Sequence, residues 1–266
     1  MIGASLVLVV LWGKGVLRPG SLKSQRAVDA HPWWVWMACA AIIWLILQVG
    51  QGVAAQAAGV DLKHPSIGDQ AIVMLAGYAV GLACAGVLTR LVSMAAPRAG
   101  MSITPRTVLV GVLCGAFAWP IVTCAGFAAA ALHQFVSGEP HNPIGHPTLK
   151  AFLDNPGNPW AWVLIAIAVL AAPVFEEIVY RGFVQSLILR ATGHSWIAII
   201  AASLVFGAVH MGMGIPWYSI VPITVLGIAM GFAFEKTRSL GVPIGMHVFF
   251  NAANVAVAVV IGGQGG

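Results

Sequence analysis

Apolar residues fill this chain in long, unbroken runs separated by short polar gaps. The runs at 33–55, 71–95, 108–132 and 160–189 each hold enough residues, about 20 or more, to cross a hydrocarbon core of about 30 Å. Three more follow at 196–209, 217–234 and 242–261. A short run at 2–13 brings the expectation to about eight helices, or seven if that first segment does not span. It has no positive start of the kind a cleavable signal carries, so a short anchor with its N-terminus outside is expected. None of the runs alternates apolar and polar residues as barrel strands do. Helices, which satisfy their own backbone in lipid, are the remaining solution. The pattern predicts an all-α, polytopic transmembrane bundle forming one integral membrane domain over residues 1–266. The small pairs Gly77 and Gly81, Gly111 and Gly115, and Gly227 and Gly231 have the spacing that lets membrane helices approach closely.

Composition agrees with the pattern: 59% of residues are hydrophobic and only 8% are charged, and mean hydropathy is +0.91. A soluble domain is far less apolar. The net charge of +5 is distributed by connection rather than by face. Lys14, Arg18, Lys23 and Arg26 share one gap, Arg90, Arg98 and Arg106 another, Arg181 and Arg190 lie near a third, and Lys236 and Arg238 occupy a fourth. Only Lys63 and Lys150 fall in the gaps between. By the positive-inside rule the rich gaps face the cytoplasm. The basic balance is therefore a topology signal, and no nucleic-acid partner is implied. Cys39, Cys84, Cys114 and Cys124 all lie in apolar runs without zinc-type or disulfide-type spacing, as packing residues do.

Glu176 and Glu177 are the only adjacent acidic pair among eight acidic residues, and they lie inside the run 160–189. A carboxylate at the bilayer centre is unfavourable by roughly 2.5–3.5 kcal/mol, so two of them pair with other helices or line a wet cavity. Glu177 and Arg181 are i and i+4 and share a helix face. Glu176 points about 100° away from that face. A carboxylate without a local cation is placed to accept a proton from water. Two further polar positions follow: His210, one turn after Phe206, and His247 with Asn251 at i and i+4. Depth offers a check on whether they meet. Counted along ideal helices, Glu176 lies about 21 Å from Arg190 and His210 about 22 Å from Ser195, but His247 only about 13 Å from Arg238. Tilt, or a bend near Pro243, is required to bring His247 level with the others.

The order Glu176-Glu177-x-x-x-Arg181, Phe206-x-x-x-His210, His247-x-x-x-Asn251 resembles the three motifs of the CAAX-protease and bacteriocin-processing family of intramembrane proteases, the group with the type II CAAX prenyl endopeptidases. The resemblance covers about residues 160–261; the N-terminal half matches only in being helical and apolar. It implies a polar chamber that hydrolyses peptide bonds, in some members removing the last three residues of prenylated proteins. By position, Glu176 would be the general base for water and His210 would help hold that water. His247 and Asn251 would donate to the oxyanion. Glu177, Arg181 and Phe206 would support the site.

Two Glu with two His can equally assemble a zinc-type site, with Glu176, His210 and His247 as candidate ligands. The His-Glu-x-x-His signature is absent, and Glu177 is committed to Arg181, so the reading leans against a tightly held ion and leaves the metal open. The implied partners are a peptide or membrane-protein substrate, lipidated or not, and the lipid bilayer, with the inner or plasma membrane as the expected location. Two other classes stay open. One is a non-enzymatic scaffold or bacteriocin-immunity protein of the same fold. The other is a proton-coupled transporter, which should show interrupted helices in both halves, whereas the polar residues here crowd into the second. The segment 133–159, with His133, His141 and His146, reads as an exposed connection, and residues 262–266 as a frayed end.

Overall fold

The computed structural model describes residues 2–18, 20–22, 26–61, 63–140, 147–212 and 215–262; Lys23, His141 and His146 lie outside them, as does nearly all of the glycine tail. All regular structure among the described residues is helical: α1 (Ile2–Gly13), α2 (Trp33–Ala57), α3 (Ile67–Ala95), α4 (Pro105–Ser137), α5 (Pro147–Asp154), α6 (Pro159–Thr192), α7 (Ser195–Met211), α8 (Trp217–Thr237) and α9 (Gly241–Gly262). Six of these, α2, α3, α4, α6, α8 and α9, are long and apolar enough to cross a membrane, which makes the chain a multi-pass integral membrane protein. With the shorter apolar helices α1 and α7, the eight expected apolar helices are all present, and six of them reach spanning length. α1 has 12 residues, about 18 Å of helix, and falls well short of the hydrocarbon thickness. α7, with 17 residues, is only slightly short, and it packs between α6 and α8.

Local sequence explains where the helices start. Ser66 and Asp69 close a reciprocal capping box on α3, Thr104 and Thr107 another on α4, and Pro105 and Pro159 occupy first turns, where no N–H is needed. Trp33, Trp34 and Trp196 are exposed at the Lys/Arg-rich end, and Trp160, Trp162 and Trp217 at the opposite end. These are the two aromatic belts of a spanning bundle. The segment expected as one loop at 133–159 is partly helical. α4 runs on through Ser137, and α5 tucks Phe152 against Ala161 and Ile165. His133 is a packing residue on α4, with its ring against Tyr218 and Trp217.

α6 is the central element. Half of its apolar window is buried, against 22% for each of α2, α3 and α4, and it touches α2, α3, α7 and α9. The three glycine pairs all lie at close contacts. Gly77 and Gly81 meet Gln51 and Leu47 of α2 and Phe175 of α6. Gly111 and Gly115 meet the backbone of α9 at Val242, Gly245 and Met246. Gly227 and Gly231 meet Ser203, Arg181 and Gln185. A Cβ at most of these positions would collide with its neighbour, so the small residues set the helix separations. The four cysteines are unpaired.

The Lys/Arg-rich end is locked by a second buried cluster. Arg26 belongs to the positive-inside count, yet its side chain is fully buried on Glu235, with Nε and Nη2 donating to Oε1 at 3.1 and 2.6 Å. Its Nη1 donates to Ala99 O and Ser186 Oγ, and the guanidinium lies 4.2 Å from the Phe234 ring centre. Gln185 Nε2 donates to the same Glu235 oxygen at 2.8 Å. One carboxylate thereby joins the connection before α2, the end of α8 and the centre of α6.

Candidate active site

α6 is not a uniform α-helix. π-helical turns at Ile167–Ala171 and Ile178–Gln185 flank an α-helical stretch, Ala172–Glu177, that carries both glutamates. Such wide turns inside α-helices occur often at functional sites. The π segments also narrow the depth mismatch. More residues fit into each turn, so Glu176 lies nearer the Lys/Arg-rich end than a 1.5 Å rise implies. α9 meanwhile starts already buried, because Leu240 N and Gly241 N donate to Gly100 O and Ser102 O. Pro243 falls in the first turn of α9, where a missing N–H leaves the helix unbroken.

Glu177 is fully buried, and its two oxygens are divided between two helices. Oε2 accepts from Arg181 Nε at 2.9 Å, and Oε1 pairs with His247 Nδ1 of α9 at 2.9 Å. Both bonds are charge-assisted when the partners are ionised, and they fix the carboxylate in one orientation. Arg181, also fully buried, makes a longer contact from Nη1 to Ser203 Oγ of α7 at 3.4 Å. Its Nη2 has no hydrogen-bond partner.

Glu176 is held differently. Its Oε2 is buried without a hydrogen-bond partner, while the side chain as a whole keeps 16% exposure. The nearest cationic atom is His247 Nε2, 3.9 Å away. With Nδ1 committed to Glu177, His247 turns its second nitrogen toward Glu176. His210 is a further electrostatic neighbour of Glu176. The His210 ring is anchored through Nδ1 on Phe206 O at 2.7 Å, which leaves its Nε2 uncommitted by that bond.

Phe206 is the ring around which these groups are set. It stands edge-on to His210 at 4.8 Å, to His247 at 5.7 Å and to Tyr180 at 5.1 Å, with the Arg181 guanidinium 5.2 Å from its centre. The fold therefore brings Glu176, Glu177, Arg181, Phe206, His210 and His247 together from three helices. Asn251, one turn beyond His247, donates from Nδ2 to Ala168 O in the first π turn of α6 at 2.8 Å.

Sequence reasoning passed over two tyrosines. Tyr180, buried in α6, and Tyr78 of α3, edge-on to Phe175 at 5.6 Å, are both electrostatic neighbours of Glu176. The chain has only three tyrosines, and Tyr180 lies four residues beyond Glu176. That scarcity was the available signal. Tyr78 also brings the N-terminal half to the site, a contribution no motif announces. Among the described residues, no group of three or more His, Cys, Asp and Glu has a geometry that could hold a metal ion, and the candidate set of Glu176, His210 and His247 does not form one.

A multi-pass helical membrane protein with a buried Glu–Arg–His cluster and one open carboxylate defines the class. Within it, residues 158–253 match the family model described as type II CAAX prenyl endopeptidase, Rce1-like. The similarity read from the three motifs thus falls on the segment that carries all of them. Over 89 residues the chain is 25% identical to the Bacillus subtilis (strain 168) protein named "Putative membrane peptidase YdiL". That match spans 34% of this chain and 34% of the relative. No solved structure matches the chain.

Proposed function

We propose that this protein is an intramembrane endopeptidase in which Glu176 takes a proton from the attacking water. The observation that carries the reading is the buried Glu176 Oε2, which has no hydrogen-bond partner and faces His247 Nε2 across 3.9 Å. Leaving a buried acceptor unpaired is unfavourable by about 1–3 kcal/mol, a cost that a bound water or substrate would offset. At 3.9 Å the two atoms are too far apart for a direct hydrogen bond, so Oε2 keeps its lone pairs for an incoming water.

The chemistry follows from those atoms. Glu176 accepts the proton as the water oxygen attacks the scissile carbonyl carbon, then returns it to the departing amide nitrogen. His210, anchored through Nδ1, offers Nε2 to hold the water. A protonated His247 that shares Nδ1–H with Glu177 carries its second proton on Nε2, where it can donate to the developing oxyanion. One amide N–H of Asn251 remains after its bond to Ala168 and serves the same oxygen. Donors fixed in advance do not have to reorganise as charge develops. Two carboxylates, one guanidinium and one imidazolium sum to zero, so the buried cluster holds no unpaired net charge. The substrate is a peptide presented from the bilayer; a lipidated C-terminus is the form that the matched family's description suggests.

The deciding experiment is cleavage of a mixed membrane-peptide library by purified protein in lipid, with Glu176→Gln and a strong chelator run in parallel. Cleavage lost in Glu176→Gln, with the fold intact, supports the reading, and loss with chelator would bring in a metal. Equal cleavage by both proteins overturns the role of Glu176, and none by a folded wild type overturns the enzyme in favour of a non-catalytic member of the fold.

A further inference from the structure

We infer that Asn251 is a positioning residue for Glu176, acting by capping a backbone carbonyl of α6 that Pro173 leaves without a donor. The inference deepens the proposed protease reading and rests on it for its kinetic arm only. Its origin is the hydrogen-bond count of the first π turn. In an α-helix Ala168 O would accept from the N–H of Ala172. Here the Ala172 N–H bonds to Ile167 O instead. In the π register that follows, the donor for Ala168 O would be the next residue, five positions on. That residue is Pro173, which has no N–H. Both registers therefore leave this carbonyl without a backbone donor, a cost in a membrane helix that a side chain can remove.

Asn251 fills it from another helix, with Nδ2 2.8 Å from Ala168 O. Because the partner is a carbonyl, only the amide nitrogen can face it, so the orientation of the side chain is determined. The consequence reaches the chemistry through geometry. One residue gained or lost in a helix turns everything beyond it by about 100°. The turn at Ile167–Ala171 thus fixes which way Glu176 and Glu177 project. Asn251 clamps that turn to α9, the same helix that presents His247 to Glu177. One helix face of α9 sets both ends of the glutamate-bearing stretch.

A double-mutant cycle tests the clamp. Pro173→Ala returns a backbone N–H to the turn, and Asn251→Ala removes the side-chain donor. The clamp predicts that Asn251→Ala lowers kcat for the best-cleaved library peptide about 100-fold in wild type but about tenfold or less in the Pro173→Ala background, with KM changed little in either. Equal losses in both backgrounds would leave Asn251 with the oxyanion alone and overturn the inference. A second readout does not depend on activity. Amide hydrogen exchange in peptides covering 166–177 should speed up in Asn251→Ala and slow again in the double variant. If Asn251→Ala fails to fold, the double variant is expected to fold, and its failure to do so also overturns the inference. A wild type that cleaves nothing defeats the protease reading, while the exchange data still decide the clamp.

Discussion

Two buried ion clusters pack on the same helix of this protein, one through neutral side chains of α6 and one through its charges, and they are built to opposite ends. At the Lys/Arg-rich end, Arg26 spends its guanidinium on Glu235, Ser186 and Ala99, and Gln185 adds a second donor to the same carboxylate oxygen. In the interior, Glu177 is satisfied on both oxygens by Arg181 and His247, yet its neighbour Glu176 keeps a bare oxygen and Arg181 keeps a bare Nη2. The first cluster joins segments far apart in sequence and leaves the neutral Gln185 Oε1, not an acid, without a partner. The second holds one carboxylate rigid so that another can stay open. Burial and charge are common to both, so neither marks the site by itself. Incomplete satisfaction beside an aimed imidazole does.

The sharpest way to break that contrast is Glu176→Gln. It swaps the open carboxylate for a neutral amide of the same shape. Cleavage should fall by about 10²–10⁴-fold, the range of a lost general base, while the melting temperature in detergent holds steady or rises. The matching change at the other cluster, Glu235→Gln, should do the reverse, lowering thermal stability because Arg26 is left buried without its counter-charge. Comparable loss of cleavage in the two variants at equal stability would erase the distinction between a working and a joining cluster.

A second test replaces both members of each pair. Removing one partner alone, as in Arg181→Ala or Arg26→Ala, should destabilise by about 3–5 kcal/mol because a charge stays buried and unpaired. Replacing both by apolar residues of similar volume is often neutral. Arg26→Met with Glu235→Met should therefore recover most of the thermal stability and retain cleavage. Glu177→Met with Arg181→Met should recover stability and leave the protein inactive, since His247 Nδ1 loses its partner. Unfolding by denaturant in lipid-detergent mixtures and the library assay read the two halves of this prediction separately.

The helical membrane class was legible from hydropathy alone, since each long apolar run became a helix within a few residues. The motif residues were legible because buried charge is rare in such a chain. What did not follow from sequence has identifiable causes. The wide turns of α6 carry no signature beyond Pro173, and they upset a depth count that assumed one rise per residue. Arg26 obeys the positive-inside count and is nonetheless buried, because its partner Glu235 lies 209 positions away. Tyr78 reaches the site from the half that carries no motif. The segment 133–159 reads as an exposed connection, but Phe152 gives α5 an apolar face to bury.

Glycines allow the smallest test, one that sharpens the contrast between joining and working parts without touching an ion. The pattern of three small-residue pairs was weak evidence in a chain with 31 glycines, and the structure separates those at contacts from those that are not. At Gly245 an added Cβ would collide with Val108 O and come within 2.9 Å of Gly111 Cα. Both obstacles are backbone and cannot swing aside. Gly245→Ala should force α4 and α9 apart and destabilise by about 1–3 kcal/mol. Because α9 carries His247 and Asn251, cleavage should fall as well. Gly86, on α3, has nothing within 4 Å of such a Cβ. There Gly86→Ala should gain about 0.5–1 kcal/mol from reduced backbone entropy and leave cleavage unchanged. Thermal melts of the two variants side by side would show whether the α4–α9 contact, and not glycine content, sets the spacing that brings His247 to Glu177.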